Sequence, residues 1–297
     1  MMNISKDISG KIDQSLVEVI ESVNAITSEL AIPFFVVGAS ARDIVFSAMF
    51  DIPTRRATLD VDFAIRVQSW DEVQALVSKM LSVDSFRQDK RMQQRFMFKG
   101  ITILDIVPFG GLEKPPGSIQ WPLDDGFIMS TIGFEEAFDY SIIVQLKKNP
   151  DLEIKVCTPP GLAILKLMAW HEKYPERSKD AKDILFLMEH YIDAGNDSRI
   201  HDQDKDLMEN QDFDYGFASP RLLGRDMAKI ASAETRIHLI DILAKESDTA
   251  SENRLALDML KGEFDIQGRF EHTMSLLKQL YLGFWETIPS GQDQPQE

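Results

Sequence analysis

The stretch Thr58-Leu59-Asp60-Val61-Asp62-Phe63-Ala64-Ile65-Arg66-Val67 decides the fold. Apolar residues occupy every odd position from 59 to 67, and this period of two predicts a β-strand with one buried face. Because successive side chains of a strand point to opposite faces, Asp60 and Asp62 share the other face, roughly 6–7 Å apart. The sequence therefore predicts a strand over residues 58–67 that presents two carboxylates together.

A third carboxylate, Asp105, interrupts the apolar run Ile103-Leu104-Asp105-Ile106-Val107, which also predicts a strand. Carboxylates grouped on one sheet face repel one another unless a cation lies between them, and hard divalent ions with oxygen ligands suit such a group. If the two strands are neighbours, Asp60, Asp62 and Asp105 form a site for Mg²⁺ or Mn²⁺. The simpler interpretation has two parts. Asp60 and Asp62 mark only the solvated face of an edge strand, and Asp105 is satisfied by backbone hydrogen bonds or an arginine.

Upstream, Val36-Val37-Gly38-Ala39-Ser40-Ala41-Arg42-Asp43 predicts a buried strand, a turn of small residues and the start of a helix. Small residues allow backbone N–H groups to approach an anion, and a helix N-terminus adds a positive end. Gly38, Ala39 and Ser40 are therefore candidates for phosphate binding, with the Ser40 hydroxyl donating to a phosphate oxygen. The alternative is an ordinary strand–turn–helix junction in which Ser40 caps the helix.

Taken together, the small-residue turn, the Asp-x-Asp strand and Asp105 resemble the DNA polymerase β-like nucleotidyltransferase superfamily. The form Thr58-x-Asp60-x-Asp62 resembles its AbiEii-type branch, known for toxins of type IV toxin–antitoxin systems. The resemblance implies an α/β (α+β) core with a mixed sheet, followed by a mainly helical domain. It also implies nucleotide contacts from residues 38–40, whereas Arg42 either contacts the nucleotide or caps the helix.

A second match has two parts, Lys166-Leu167-Met168-Ala169-Trp170 and Arg177-Ser178-Lys179-Asp180-Ala181-Lys182-Asp183. Together they resemble a helical motif of the same branch. By that resemblance Lys166 contacts the phosphates of the nucleotide, and Asp180 acts near the acceptor as a base or as a supporting partner. Asp183 would support Asp180. The alternative is that these residues form local ion pairs on solvated helix surfaces.

The pattern changes at Thr158-Pro159-Pro160, after which helical periodicity dominates. We therefore predict a catalytic core over residues 1–157 and a helical domain over residues 158–297. Residues 193–214 are strongly acidic with few apolar positions, so they are predicted to form a mobile loop rather than packed structure.

Lysine and arginine total 32 against 48 aspartate and glutamate residues, giving a net charge of −16. Such a surface repels nucleic acid, so an RNA acceptor would need a local basic patch. One dense basic stretch is a candidate, with a charged hairpin edge as the alternative: Arg87, Lys90, Arg91, Arg95 and Lys99.

The N-terminus lacks a signal-peptide layout and no apolar run is long enough for a membrane span, so we expect a cytoplasmic protein.

These features predict a metal-dependent enzyme that moves NMP from an NTP to an acceptor hydroxyl. The resemblance implies tRNA or protein as the acceptor and allows for an antitoxin partner. Two alternatives remain open. One is a small-molecule (antibiotic-type) nucleotidyltransferase, whose cationic acceptor would be drawn to an acidic cleft. The other is an NTP-binding regulatory module without turnover.

Overall fold

The computed structural model describes residues 6–54, 60–122, 128–209 and 214–287. The chain divides into two compact units, Met1–Thr158 and Pro159–Glu297. In the part of the chain that is described, no helix is both long enough and apolar enough to cross a membrane. Thr58 and Leu59, which belong to the predicted strand, lie outside the described residues.

The first unit contains all ten described strands. They are β1 Lys6–Asp7, β2 Phe34–Val37, β3 Asp60–Arg66, β4 Phe86–Gln88, β5 Arg95–Phe98, β6 Thr102–Phe109, β7 Ser118–Gln120, β8 Ile128–Ser130, β9 Ile142–Lys148 and β10 Asp151–Val156. Its helices are α1 Gln14–Glu29, α2 Gly38–Asp43, which continues as a π-helical segment over Ile44–Met49, α3 Trp70–Leu81 and α4 Phe134–Asp139.

Eight of these strands form one mixed sheet in the order β1-β9-β10-β2-β3-β6-β5-β4. In its centre β2 runs antiparallel to β3, and β3 runs parallel to β6. Strands β6, β5 and β4 then continue antiparallel. The remaining two, β7 and β8, form a separate antiparallel pair. The mixed α/β fold predicted from the sequence is confirmed.

Aromatic residues fill the interior of the first unit. The Phe35 ring lies edge-on to Phe109 and Phe138, with centroids 5.9 and 5.5 Å apart, and Phe63 contacts Phe34 in the same way at 5.8 Å. Such edge-to-face pairs add to the stabilisation from burial. On the apolar face of β3, Val61, Phe63 and Ile65 are all buried, as the alternation predicts.

In the described residues of the second unit, all regular secondary structure is helical. Its helices are α5 Pro159–Glu172, α6 Ser178–His190, α7 Asp197–His201, α8 Asp206–Glu209, α9 Tyr215–Ile230, α10 Ala233–Ser247, α11 Arg254–Met259 and α12 Ile266–Glu286. Helices α9 and α12 cross where two glycines meet. A β-carbon on Gly224 would lie 2.2 Å from the Leu280 oxygen, and one on Gly283 would lie 2.0 Å from the Arg221 oxygen.

The acidic segment 193–214 differs from the loop predicted for it. Its described part contains α7 and α8, which bury Ile200, Leu207 and Met208. Its charge is balanced locally, because the Arg199 guanidinium binds Asp204 at 3.0 Å and also binds Asp226 of α9 at 2.5 Å. Composition counts charges without showing which are paired, and for this reason the packed structure was missed. Residues 210–213 of the predicted loop lie outside the described residues.

Candidate active site

The strands of Asp62 and Asp105 are neighbours, as the predicted metal site requires, and the two residues lie side by side. Asp62 of β3 and Asp105 of β6 are register partners in the parallel pair, so their side chains share one face of the sheet. Asp60 lies two residues before Asp62 on the same face, opposite Ile103. All three aspartates are partly exposed, with 20% of the Asp105 side chain accessible.

The first turn of α2 supports this carboxylate row from the side of β2. Val37 is the register partner of Asp62, and Gly38 follows with φ +65°. A β-carbon on Gly38 would lie 2.0 Å from Asp62 Oδ2, so the glycine backbone occupies the space beside the carboxylate. Only a glycine allows both this close approach and this left-handed backbone.

Ser40 is buried, and its hydroxyl donates to the Asp60 backbone oxygen at 3.0 Å. The helix begins at Gly38 with Val37 as the N-cap, so Ser40 does not cap it. The hydroxyl instead fastens the turn to β3. Arg42 is buried as well, and its guanidinium donates twice to Asp43 Oδ1, at 2.9 and 2.7 Å.

Sequence reasoning did not identify the role of Arg95. Arg95 of β5 is the register partner of Asp105 across the antiparallel β5–β6 pair. Its Nε donates to Asp105 Oδ1 at 2.8 Å and its Nη2 donates to Oδ2 at 2.6 Å. This bidentate bond raises the pKa of Arg95, and the negative charges of Asp60 and Asp62 act in the same direction. The sequence allowed that an arginine satisfies Asp105, and the structure shows which arginine does so.

The Arg95 pair bears on the predicted metal site. Among the described residues, no three His, Cys, Asp or Glu side chains are grouped so that they could hold a metal ion. Both oxygens of Asp105 are bonded to Arg95, although the backbone places this residue next to Asp62. The donor set is nevertheless of the right chemistry, since three carboxylates on adjacent sheet positions supply the oxygen ligands that Mg²⁺ and Mn²⁺ prefer.

In the second unit, four charged residues of the helical motif form one cluster, in which Lys166 and Asp180 are buried. Lys166 Nζ of α5 lies 3.2 Å from Asp180 Oδ1 and 2.5 Å from Asp183 Oδ2, both on α6. Arg177 Nε donates to the other Asp180 oxygen at 2.6 Å. Two cations thus face two carboxylates. The Lys166 and Asp180 side chains are only 9% and 2% exposed, which differs from the solvated helix surface given as the alternative.

This pairing determines the protonation of the cluster. Burial raises the pKa of Asp180, but the charges and hydrogen bonds of Lys166 and Arg177 outweigh it and leave that pKa below its ordinary value. Burial likewise lowers the pKa of Lys166, and the two aspartates outweigh it, so the pKa is raised. A general base works best with a pKa near the working pH. The cluster therefore favours a supporting role for Asp180 over that of a base.

Comparison with known families identifies the class of protein. Residues 23–252 match the family described as nucleotidyl transferase AbiEii toxin of the type IV toxin–antitoxin system. The chain is a nucleotidyltransferase. More narrowly, because the match spans more than half of the sequence, it belongs to the AbiEii family. No protein with a curated description matches the sequence.

Several solved structures are distantly similar. The antibiotic-resistance factor ANT(2'')-Ia is 13% identical, with a TM-score of 0.34, over 56% of this chain and 77% of that one. An antigenic nucleotidyltransferase-like protein from Paracoccidioides brasiliensis is 14% identical, with a TM-score of 0.38, over 66% and 90%. The Thermotoga maritima CCA-adding enzyme complexed with tRNA is 11% identical, with a TM-score of 0.26, over 93% and 80%. At these scores the similarity carries no argument about substrate.

Proposed function

We propose that this protein transfers a nucleoside monophosphate from an NTP to an acceptor hydroxyl, in a reaction that releases pyrophosphate and requires a divalent metal ion. The observation that carries the proposal is the register of Asp62 with Asp105, which brings carboxylates from two strands to one place on the sheet beside Asp60. The unit Met1–Thr158 would be the catalytic core.

Asp60, Asp62 and Asp105 would hold Mg²⁺ or Mn²⁺. When bound there, such an ion supplies charge neutralisation for the triphosphate and lowers the pKa of the attacking hydroxyl. The protein contributes the positions of the ligands. Gly38 leaves room for the Asp62 carboxylate beside the turn, and the Ser40 hydroxyl holds the same turn against the backbone of Asp60.

The first turn of α2, formed by Gly38, Ala39 and Ser40, is proposed to bind a phosphate of the nucleotide through its backbone N–H groups. This assignment modifies the sequence prediction for Ser40, whose hydroxyl proton is used in the bond to the Asp60 oxygen. Arg42 is the less favoured nucleotide contact, because its guanidinium already binds Asp43 twice.

Lys166 and Asp180 are proposed to act together. Lys166 would contact the nucleotide phosphates, and Asp180 and Asp183 would hold its ammonium group charged and in place. Arg177 completes the cluster by neutralising the second oxygen of Asp180. In this role Asp180 is a positioning residue.

The acceptor is proposed to be tRNA or a protein, and the type IV family suggests an antitoxin protein as a partner. A small-molecule acceptor is the second candidate, and the net charge of −16 favours it if the acceptor is cationic.

The test uses each of four NTPs labelled at the α-phosphate, with Mg²⁺ or Mn²⁺ and cell extract. We expect label from one NTP to enter a single class of acceptor with the wild type. Asp60→Ala should abolish this labelling. Asp71→Ala, which removes the same charge from an exposed position of α3, should not. Equal labelling by wild type and Asp60→Ala would refute the metal site, and no labelling under any condition would favour the module without turnover.

A further inference from the structure

The Arg95 guanidinium occupies both oxygens of a proposed metal ligand. The two bonds, of 2.8 and 2.6 Å, are the parallel pair that a guanidinium fork forms with a carboxylate. A metal ion that bound Asp105 would need at least one of these oxygens. Each oxygen keeps a second lone pair, but a divalent ion bound there would lie close to the guanidinium, and the two positive charges repel each other. Arg95 and the metal ion therefore compete for this carboxylate.

We infer that Arg95 is a built-in competitor for the divalent ion: it holds Asp105 in the metal-free protein and gives up the carboxylate when the ion binds. The inference rests on the proposed function, since it assumes that Asp105 is a metal ligand. In the metal-free protein the Arg95 cation offsets part of the repulsion within the row of Asp60, Asp62 and Asp105. Binding of the metal ion then exchanges one cation for another.

The surroundings of Arg95 provide a place for the displaced guanidinium. Its side chain is 30% exposed and lines a cavity of about 340 Å³ at the β4–β5 hairpin, together with Arg87, Asp89 and Lys90. The Asp89 carboxylate accepts hydrogen bonds from the backbone N–H groups of Arg91 and Met92 and stays ionised, because these bonds lower its pKa. A guanidinium that turned into this cavity would thus keep a carboxylate nearby while leaving Asp105.

The two possible roles of Arg95, competition with the metal ion and simple positioning of Asp105, predict opposite changes in metal affinity when Arg95 is removed. If Arg95 only positioned Asp105 for the metal, its removal would weaken metal binding, as the loss of a partner that orients a ligand does by roughly 10–100-fold. If it competes, its removal tightens binding, by roughly tenfold or more given the strength of charge-assisted hydrogen bonds. A damaged fold would also weaken binding, so tightening cannot arise from damage.

The experiment is a titration of the metal-free, full-length protein with Mn²⁺, in which free Mn²⁺ is read by electron paramagnetic resonance at fixed ionic strength. Arg95→Gln should bind Mn²⁺ more tightly than the wild type. Arg95→Lys, which keeps the charge but loses the fork, should fall between them. Arg87→Gln removes the same charge from the same cavity without touching Asp105, and it should change the affinity by less than about threefold.

The outcomes separate the inference from the proposed function. If the wild type binds Mn²⁺ and both Arg95 variants bind it equally or more weakly, the inference is overturned, whereas the metal site is still supported. An equal gain in Arg87→Gln and Arg95→Gln would also overturn it, because long-range charge would then explain the effect. Absence of Mn²⁺ binding by the wild type and both Arg95 variants would overturn the inference and the proposed metal site together. If Arg95→Gln fails to fold, the sign measured for Arg95→Lys decides.

Discussion

The Gly38 backbone lies directly against the carboxyl group of Asp62, so close that a β-carbon at position 38 would fall 2.0 Å from Oδ2. The contact joins the turn that is proposed to bind phosphate to a carboxylate that is proposed to bind metal. Any side chain at position 38 therefore has to displace Asp62 from its place beside Asp105.

We predict that Gly38→Ala lowers nucleotidyl transfer by at least about 100-fold, beyond the range found when only an orienting partner is lost. The added methyl group collides with Asp62, and the positive φ adds strain of about 1–2 kcal/mol. Initial rates of label transfer measure the effect. Gly10→Ala is the matched control: Gly10 also has positive φ, at +79°, but a β-carbon there meets nothing within 4 Å. Equal activity of the two variants would show that the contact has no catalytic importance.

Replacement of Lys166 tests the buried cluster. Lys166→Met leaves the carboxylates of Asp180 and Asp183 without their shared cation, so we expect a loss of about 3–5 kcal/mol in the free energy of unfolding. Denaturant unfolding at pH 7 measures it. Lys182→Met, an exposed lysine of the same helix as Asp180, should change stability by no more than about 0.5 kcal/mol. Adding Asp183→Asn to Lys166→Met should recover part of the loss, and no recovery would contradict the proposed pairing.

Acid should weaken the second unit through Asp226. This carboxylate accepts hydrogen bonds from Tyr191 at 2.7 Å and from Lys229 at 2.9 Å, besides its bonds to Arg199. Burial raises the pKa of Asp226, but these bonds outweigh burial and lower it overall. A lowered pKa in the folded state stabilises the fold above the unfolded value of about 3.9, and the contribution is lost as the pH falls through the folded value.

The stability difference between wild type and Asp226→Asn should therefore be large at pH 6 and shrink progressively below about pH 4. Urea unfolding across this range measures it. A difference that stays constant down to pH 2 would mean that ionisation of Asp226 does not contribute.

Two basic residues of the β4–β5 hairpin offer a test of whether the acceptor is RNA. In the described structure Arg87 and Lys90 are exposed and line the cavity beside Arg95 without an ion pair to another described residue. If the acceptor is RNA, Arg87→Glu with Lys90→Glu should reduce labelling of the RNA fraction of an extract by roughly tenfold and flatten its salt dependence. Lys261→Glu with Lys278→Glu changes the net charge equally at exposed positions of the second unit. Equal RNA labelling by both double variants would rule out the hairpin as an RNA contact.

Much of the fold follows from local sequence patterns. The alternation of residues 58–67 predicts β3, because the pattern matches one buried face. The short strands β4, β7 and β8 were not predicted, since three residues carry too little periodicity. Likewise, the acidic composition of residues 193–209 concealed two helices whose charges are paired within the fold.

The three carboxylates of the candidate site were predictable, but the partner of Asp105 was not. Lys99-Gly100 separates two apolar runs, which favours a hairpin whose two-residue turn would pair Phe98 with Ile101. The structure pairs Phe98 with Thr102 instead, which shifts the register by one and places Arg95 opposite Asp105 rather than Leu104. A shift of one residue exchanges the faces of a strand, so the ion pair depended on a detail that the turn signal did not specify.

The most direct test of the central claim compares label at two positions of the same NTP. The NTP and the acceptor fraction are those that the labelling experiment identifies. Nucleotidyl transfer moves α-phosphate label to the acceptor and releases γ-phosphate label in pyrophosphate. We predict α-label on the acceptor, no γ-label there, and loss of both products in Asp62→Asn. Transfer of γ-label to the acceptor, or undiminished α-label with Asp62→Asn, would contradict nucleotidyl transfer by this carboxylate site.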